Sequence, residues 1–441
     1  MKAELLKPGV RPREVWAWAA FDFANSGYTT VVLTAVFNAY FVSVVAGDAD
    51  WATFVWTCVI ALSNAASLLA MPVIGAVADA RAEKKKWLFA MTVLCIAATA
   101  GLAFAGPGTI VWASLMIVLS NLAYNVGETL NSAFLPEIAP ESSLGKVSGW
   151  GWAFGYCGGL VTLGASLLVV TQGESFGLTF DQCVAGTMLI TAFVFALAST
   201  PLFLWLKERS VPRVSAGSST DASGTAGTIT GAAAESFREV TRTLKALPRY
   251  RDFATLALCG FLYQCGVSVV ITLSAVYASA VMGFETADTI FMVFLVNITA
   301  AIGAFLFGYV QDAIGHKRAL AITLLVWLAM IVVACLAETR GMFWAAANLA
   351  GLAMGSSQSA GRAMVGVLAP KARLAEFYSF WNMALWVAAI VGPLSYGAVT
   401  WMTGNDHRMA IAVTGLFFAA ALLALMPLNL DRGRRAAEAA D

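Results

Sequence analysis

The sequence predicts an all-α membrane protein with twelve transmembrane helices in two related six-helix halves. Of the 441 residues, 59% are hydrophobic and 12% are charged, a composition for which water is an unfavourable solvent. Apolar runs recur along the chain, each about 20 residues or longer, which is enough to cross a bilayer. Short loop motifs of the first half also return in the second half at a nearly constant distance, which indicates a duplicated unit.

The apolar runs define the individual spans. In the first half they lie at residues 16–46, 51–78, 87–106, 109–133, 147–170 and 183–206. In the second half they lie at residues 253–281, 286–310, 319–338, 341–365, 377–402 and 409–429. We therefore expect an N-terminal six-helix bundle at residues 1–206, a cytoplasmic linker at 207–252 and a C-terminal six-helix bundle at 253–441.

The basic residues give the orientation of the spans. With the N-terminus in the cytoplasm, all but three of the 27 lysine and arginine residues fall in cytoplasmic segments, the exceptions being Arg340, Arg362 and Arg408. This distribution obeys the positive-inside rule. It predicts a multi-pass protein of the cytoplasmic (inner) membrane with both termini inside. We also expect membrane lipids as partners and a monomeric protein. The formal net charge of +1 indicates no nucleic-acid partner.

The linker combines a flexible stretch with a helical pattern. Residues 211–234 are rich in Ser, Thr, Gly and Ala and contain too little apolar mass to pack. Apolar and basic side chains then alternate at helical spacing: Phe237, Arg238, Val240, Arg242, Leu244, Lys245 and Leu247. The pattern predicts an amphipathic helix resting on an anionic leaflet, with a solvated linker helix as the alternative.

Two loop motifs occur twice. Gly75-Ala-Val-Ala-Asp79, followed by Lys84, returns 233 residues later as Gly308-Tyr-Val-Gln-Asp312, followed by Lys317 and Arg318. An Ala-Pro pair at residues 139–140 returns at residues 369–370. Parallel repeats of this kind, with a binding site between them, are typical of transporters.

The first motif resembles the loop signature of the major facilitator superfamily, Gly-x-x-x-Asp-Arg/Lys-x-Gly-Arg/Lys-Arg/Lys. The second copy fits it more closely, because the first has Ala80 in place of a basic residue and Ala82 in place of the second glycine. The resemblance implies the major facilitator fold, in which spans one, four, seven and ten line a central cavity. It also implies that these loops latch the cytoplasmic helix ends, through the gating residues Asp79, Lys84, Asp312, Lys317 and Arg318. The alternative is that the loops serve only as determinants of topology.

Three further segments carry a narrower resemblance. Phe21-Asp22-Phe23-Ala24-Asn25-Ser26, Phe134-Leu135-Pro136-Glu137 and Gly155-Tyr156-Cys157-Gly158-Gly159 are similar to the vacuole-effluxer branch of that superfamily. Fungal members of this branch export amino acids from the vacuole. The resemblance implies an effluxer, with the direction and the cargo left open.

Three charged residues lie well inside the predicted spans, namely Asp22, Glu128 and Arg362. Each costs about 2.5–3.5 kcal/mol at a helix centre, so each is expected to face protein or water and to serve a function. Asp22 or Glu128 is a candidate proton carrier, and Arg362 could bind a substrate carboxylate. The alternatives are an ion pair between Arg362 and a carboxylate, or capping of backbone carbonyls by Arg362.

Polar and aromatic side chains extend the candidate site. In span four, residues spaced by three and four share one helix face, and they can either coordinate a polar solute or join helices by hydrogen bonds. The full set of candidates for binding substrate or proton is Asp22, Asn25, Asn121, Tyr124, Asn125, Glu128, Asn131, Tyr263, Gln264, Gln358, Arg362, Trp381 and Asn382.

Enzymatic and ATP-driven functions are not indicated. The sequence has no His-Glu-x-x-His pair and no P-loop, and its seven cysteines show no metal-ligand spacing, so we expect no metal and no cofactor. The pattern predicts a secondary transporter that moves a small polar or amphipathic solute by alternating access, with amino-acid efflux favoured and proton coupling as a hypothesis. Uptake, drug or lipid export, and a non-transporting receptor are the alternatives.

Overall fold

The computed structural model describes residues 5–47, 49, 51–212, 247–404 and 406–440. Twelve long helices, α1 to α12, follow one another in chain order. They are Pro12–Val45, Ala52–Arg81, Lys84–Gly101, Ile110–Ser132, Leu144–Gln172, Phe180–Trp205, Arg251–Met282, Thr286–Ile314, His316–Leu336, Arg340–Leu368, Leu374–Met402 and His407–Leu425. A shorter helix, α13, is Leu430–Glu438.

Eleven helices among the described residues are long and apolar enough to cross a membrane. The twelfth long helix, α10, has 29 residues but is rich in Gly, Ser and Ala, which lowers its hydropathy. It packs against α5, α8 and α9 inside the molecule, so small and polar side chains replace the lipid-facing ones. The all-α, twelve-span fold class is confirmed.

The observed helix ends lie within about four residues of the predicted ends, except that α3 ends at Gly101 rather than at residue 106. The last span was expected to reach residue 429, but α12 ends at Leu425 and Pro427 follows within two residues. Because proline has no backbone N–H, it cannot continue the helix. Asn429 then caps α13 by accepting a hydrogen bond from the Arg432 amide at 3.0 Å. The predicted amphipathic helix at residues 237–247 lies outside the described residues except for Leu247, which begins a short 3₁₀ helix at Leu247–Tyr250.

The two halves meet along two related seams, α5 against α8 and α2 against α11. Both chain ends lie at one end of the bundle, the terminal side: the Ser143 hydroxyl donates to the Leu5 carbonyl at 2.7 Å, and Arg434 pairs with Glu141. Every hydrogen bond between the halves that we observe in the described part of the chain lies on this side, within about ten residues of a terminal-side helix end. Among the described residues, no hydrogen bond or ion pair joins the halves on the opposite side.

Candidate functional site

A buried ion pair between the halves lies at the terminal end of a central cavity. Arg362 Nη1 of α10 is 2.7 Å from Asp22 Oδ2 of α1, and both residues are about 5% exposed or less. The Asn131 amide donates to the other Asp22 oxygen at 2.9 Å. Arg362 also donates through Nε and Nη2 to the hydroxyl and carbonyl of Ser148, at 3.2 and 2.9 Å. The guanidinium is therefore held mainly by α1 and α5 of the other half.

Aromatic rings and a glycine shape the space around this ion pair. The guanidinium carbon of Arg362 lies 4.7 Å from the centre of the Trp18 ring and 5.3 Å from that of Trp152. A Cβ at Gly151 would lie 2.4 Å from Asp22 Oδ2 and 2.6 Å from Arg362 Nη2. Only glycine at this position lets α5 approach the ion pair so closely. Sequence reasoning missed Trp18, Ser148 and Trp152, because their contacts with Arg362 depend on how the two halves meet.

Glu128 of α4 faces the cavity beside the ion pair. Its Oε1 is 4.0 Å from Arg362 Nη1, and its side chain is 22% exposed. Its Oε2 accepts a hydrogen bond from the Asn25 amide at 2.5 Å. Two carboxylates thus share one guanidinium, and the shorter distance belongs to Asp22. Glu128 is the carboxylate that is left with an incomplete charge partner.

The cavity has a volume of about 200 Å³ and lies between α1, α4 and α5 of the first half and α7, α10 and α11 of the second. Its polar wall includes Asp22, Asn25, Tyr124, Asn125, Glu128, Gln264, Gln358, Arg362 and Asn382, and its aromatic wall includes Trp152, Tyr378, Trp381 and Trp386. Within the described residues, Asn25 Oδ1, Asn125 Oδ1 and Trp152 Nε1 are buried without a hydrogen-bond partner. Buried polar atoms are normally paired, so a solute or water that reached these atoms would supply the missing hydrogen bonds.

Three of the residues selected from the sequence do not line this cavity. Asn121 points towards α2 and donates to Asn64 at 3.2 Å. Asn131 holds Asp22 from the side facing away from the cavity. Tyr263 is fully buried against Trp381. Helical periodicity places these residues on a polar face, but the rotation of each helix directs them to neighbouring helices, which corresponds to the alternative of interhelical hydrogen bonding for the two asparagines.

A comparison with family models shows which family the chain belongs to. The family model described as "Vacuole effluxer Atg22 like" matches residues 38–438, which is most of the chain. The protein belongs to this Atg22-like family.

Other relatives of the Atg22-like chain agree with this assignment. The "Uncharacterized MFS-type transporter YxiO" of Bacillus subtilis (strain 168) is 26% identical over 421 residues, covering 93% of this chain and 94% of that protein. "Autophagy-related protein 22" of Yarrowia lipolytica is 25% identical over 345 residues, covering 73% of this chain and 57% of that protein. Together with the family match, these relatives assign the chain to the transporters of the major facilitator superfamily.

Solved structures agree on the fold. The transporter FucP in its outward conformation superposes with a TM-score of 0.71 at 14% identity, covering 95% of this chain and 98% of that one. The proton:xylose symporter XylE superposes with a TM-score of 0.68 at 13% identity, covering 93% of each chain. At these identities the likeness shows the major facilitator fold alone.

In this Atg22-like protein, each signature aspartate binds the start of a helix in the other half. Asp312 at the end of α8 accepts hydrogen bonds from the backbone amides of Gly145 and Lys146 in the first turn of α5, at 2.9 and 3.1 Å. Asp79 at the end of α2 accepts from the backbone amide of Glu376 in the first turn of α11, at 3.0 Å. The first-turn amides of a helix have no partner within the helix and carry partial positive charge. The two aspartates therefore cap these helices across the seam.

Lys84 lies beside the first signature aspartate as expected, but the described partners of the second signature aspartate do not include Lys317 or Arg318. Lys84 is fully buried, pairs with Glu137 and lies 3.8 Å from Asp79. Lys317 instead donates to the carbonyls of Met426 and Leu428 at 2.7 and 2.8 Å, and Arg318 is exposed. Lys146 of the other half is the lysine beside Asp312, at 3.7 Å. Carbonyls at the end of α12 attract Lys317 because they lack helical partners.

Asp312→Ala is expected to destabilise the state that is closed on the terminal side by about 0.5–2 kcal/mol, the usual effect of losing a helix cap. Because the cap joins two halves, the loss shifts the conformational equilibrium rather than the fold. Distances between spin labels on the opposite side of α2 and α11, measured by electron paramagnetic resonance, report this shift. Asp406→Ala is the matched control, since Asp406 caps α12 within its own half by accepting from Met409 at 2.9 Å. An equal shift in both variants contradicts the role of Asp312.

Proposed function

We propose that the protein is a secondary active transporter that exchanges protons for a small solute carrying a protonated amino group, amino acids included. The observation that carries this proposal is the position of Glu128. It is the charged side chain of the described cavity that is exposed to the cavity and lacks a close ion-pair partner. A carboxylate in a low-dielectric site needs a positive partner, and a proton or an ammonium group can fill that role in turn.

The charges of the cavity support a cationic group over an anionic one. Asp22 and Glu128 contribute two negative charges and Arg362 contributes one positive charge, so the three groups together are negative by one unit when all are ionised. Arg362 already donates to Asp22 and Ser148. A substrate carboxylate at Arg362 would have to replace these bonds. We therefore propose that the solute's amino group binds at Glu128 and that Arg362 has a positioning role.

The remaining cavity wall suits the rest of such a solute. Trp152, Trp381 and Trp386 provide aromatic faces that attract both ammonium groups and apolar side chains. The Asn25 amide nitrogen donates to Glu128, and Asn25 Oδ1 accepts no hydrogen bond in the described structure, so we propose that Oδ1 accepts one from the same ammonium group. The volume of about 200 Å³ suits a molecule the size of an amino acid rather than a lipid.

The transport cycle follows from the two halves. We propose that residues 1–206 and 253–441 rock against each other around the Asp22–Arg362 pair. We also propose that the protein lies in the inner membrane with both termini in the cytoplasm. The basic residues support this orientation. With this orientation the proposed cycle assigns the structure to an outward-facing state. Proton entry from outside would then drive export of the solute, the direction that the family's description as effluxers favours.

Glu128→Gln is the direct test. Proteoliposomes loaded with a mixture of radiolabelled amino acids are given an inward proton gradient, and the released solutes are measured. We expect the wild type to release solute in response to the gradient. In Glu128→Gln the release rate should fall at least about tenfold, because the neutral glutamine side chain can neither take up a proton nor pair with an ammonium group.

The matched control is Glu338→Gln, since Glu338 is exposed at the beginning of the loop before α10 and undergoes the same chemical change. It should transport like the wild type. Gradient-driven release that persists in Glu128→Gln would contradict the assignment of Glu128. Stabilisation of the purified wild type by amines but not by their N-acetyl derivatives would support recognition through the amino group.

A further inference from the structure

A second cleft opens at the terminal side, between the two halves and apart from the central cavity. It is lined by Lys7, Pro136 and Glu137 of the first half and by Lys371 and Leu374 of the second, and it has a volume of about 450 Å³. That is within the usual range for ligand sites. The transport mechanism proposed above uses none of these side chains.

The two lysines are the positive groups of this cleft without a carboxylate at ion-pair distance in the described part of the chain. Lys7 donates to the Pro136 carbonyl at 2.5 Å, which occupies one of its three N–H groups. Lys371 is exposed. Burial, and then the nearby Lys371 ammonium, lower the pKa of Lys7, and the weaker opposing effect of the Glu137 carboxylate does not cancel them. The two ammonium groups thus repel each other across the seam.

The acidic group on the cleft wall is already neutralised. Glu137 pairs with the buried Lys84 and accepts a hydrogen bond from the Arg209 backbone amide at 2.9 Å. The Arg209 guanidinium points away to Glu14, with Nη2 at 3.0 and 2.9 Å from the two carboxylate oxygens. Among the described residues, Lys7 and Lys371 therefore have no carboxylate of their own as an ion-pair partner.

We propose that this cleft binds a phosphate-type anion, either the headgroup of an anionic phospholipid or free phosphate, between Lys7 and Lys371. Phosphate oxygens accept several charge-assisted hydrogen bonds at once, which lysine ammonium groups supply. Because the two lysines belong to different halves, they face each other only while the terminal side is closed. An anion that binds both lysines stabilises the closed state by its differential affinity for it.

The test measures thermal unfolding of the full-length protein purified in uncharged detergent, so it does not depend on the transported solute. The probes are potassium phosphate against potassium chloride at equal ionic strength, and mixed micelles with phosphatidylglycerol against phosphatidylcholine. We expect phosphate or phosphatidylglycerol to raise the Tm of the wild type. Lys7→Gln and Lys371→Gln should each raise the half-saturating concentration about tenfold, the effect of losing one charged hydrogen bond.

Lys86→Gln is the matched control, because Lys86 lies on the same side, is 77% exposed and pairs only with Glu83 among the described residues. It should respond like the wild type. A response to phosphate alone identifies a free anion as sufficient, and a response restricted to phosphatidylglycerol identifies a lipid headgroup. An equal loss in Lys86→Gln and Lys371→Gln, or no preference over chloride and phosphatidylcholine, overturns the proposal.

A charge reversal adds a test that does not rely on weakened binding. Lys371→Glu places a carboxylate opposite Lys7 and so supplies within the protein the negative charge that the anion provides. We expect this variant to have a higher Tm than the wild type without added anion and to lose the response to phosphate and phosphatidylglycerol. A Lys371→Glu variant with the full wild-type response overturns the proposal.

Discussion

Replacing Arg362 by methionine is expected to abolish transport and to destabilise the protein by roughly 3–5 kcal/mol, the effect of removing one partner from a buried ion pair. Methionine preserves much of the length of the side chain, so the change removes mainly the charge and its hydrogen bonds. Asp22 would keep the Asn131 amide as a partner but lose the guanidinium at 2.7 Å. Glu128 would lose its nearest positive charge, at 4.0 Å. Thermal or denaturant unfolding in detergent measures the loss.

A double variant separates stability from function. Asp22→Asn with Arg362→Met removes both charges of the pair, and it should recover most of the lost stability because no buried carboxylate of the pair remains uncompensated. It should not recover transport, since the halves would lose the contact around which they are proposed to move. Arg340→Met is the control, because its ion pair with Asp288 is exposed and such pairs contribute at most about 1 kcal/mol. Equal destabilisation by Arg340→Met and Arg362→Met would contradict the role of the buried pair.

The twelve spans and the three intramembrane charges could be predicted because both follow from the solvent. A bilayer requires about 20 apolar residues per helix, and it makes each ionised side chain costly. Asp22, Glu128 and Arg362 therefore stood out from the sequence, and the structure brings the three together in one cavity. Their convergence could be predicted without knowing how each helix is rotated, because an ionised side chain that does not face lipid must face protein or a water-filled cavity.

The pairing within that cluster could not be predicted in the same way. The sequence allows Arg362 to pair with either carboxylate or to bind substrate. In the structure Arg362 donates hydrogen bonds to Asp22 and Ser148. Residues 340 positions apart meet here, so the outcome depends on helix tilt and rotation, which the periodicity of one helix does not determine. The same applies to Asp312, whose partners are backbone amides of α5. Backbone groups carry no sequence signal.

Gly149→Ala is expected to shift the protein away from the state that is closed on the terminal side. Gly149 of α5 lies on the seam with α8, where an added Cβ would be 2.4 Å from the Ala304 carbonyl oxygen and 3.2 Å from Gly308 Cα. Both neighbours are backbone atoms and cannot move aside as a side chain does. Overpacking of this kind costs about 1–3 kcal/mol, which changes the ratio of two conformations by about 5- to 150-fold.

Gly164→Ala provides a matched control on the same helix. A Cβ at Gly164 would have no neighbour within 4 Å, so the substitution brings the helix-stabilising effect of alanine without the clash. Spin labels near Phe54 and Met402, at the opposite-side ends of α2 and α11, should approach each other in Gly149→Ala and keep the wild-type distance in Gly164→Ala. The clash acts only where α5 and α8 touch, so separation of that seam relieves it, whereas a clash within one half would persist in every state. Wild-type label distances in Gly149→Ala would therefore show that the α5–α8 seam does not open during the conformational cycle.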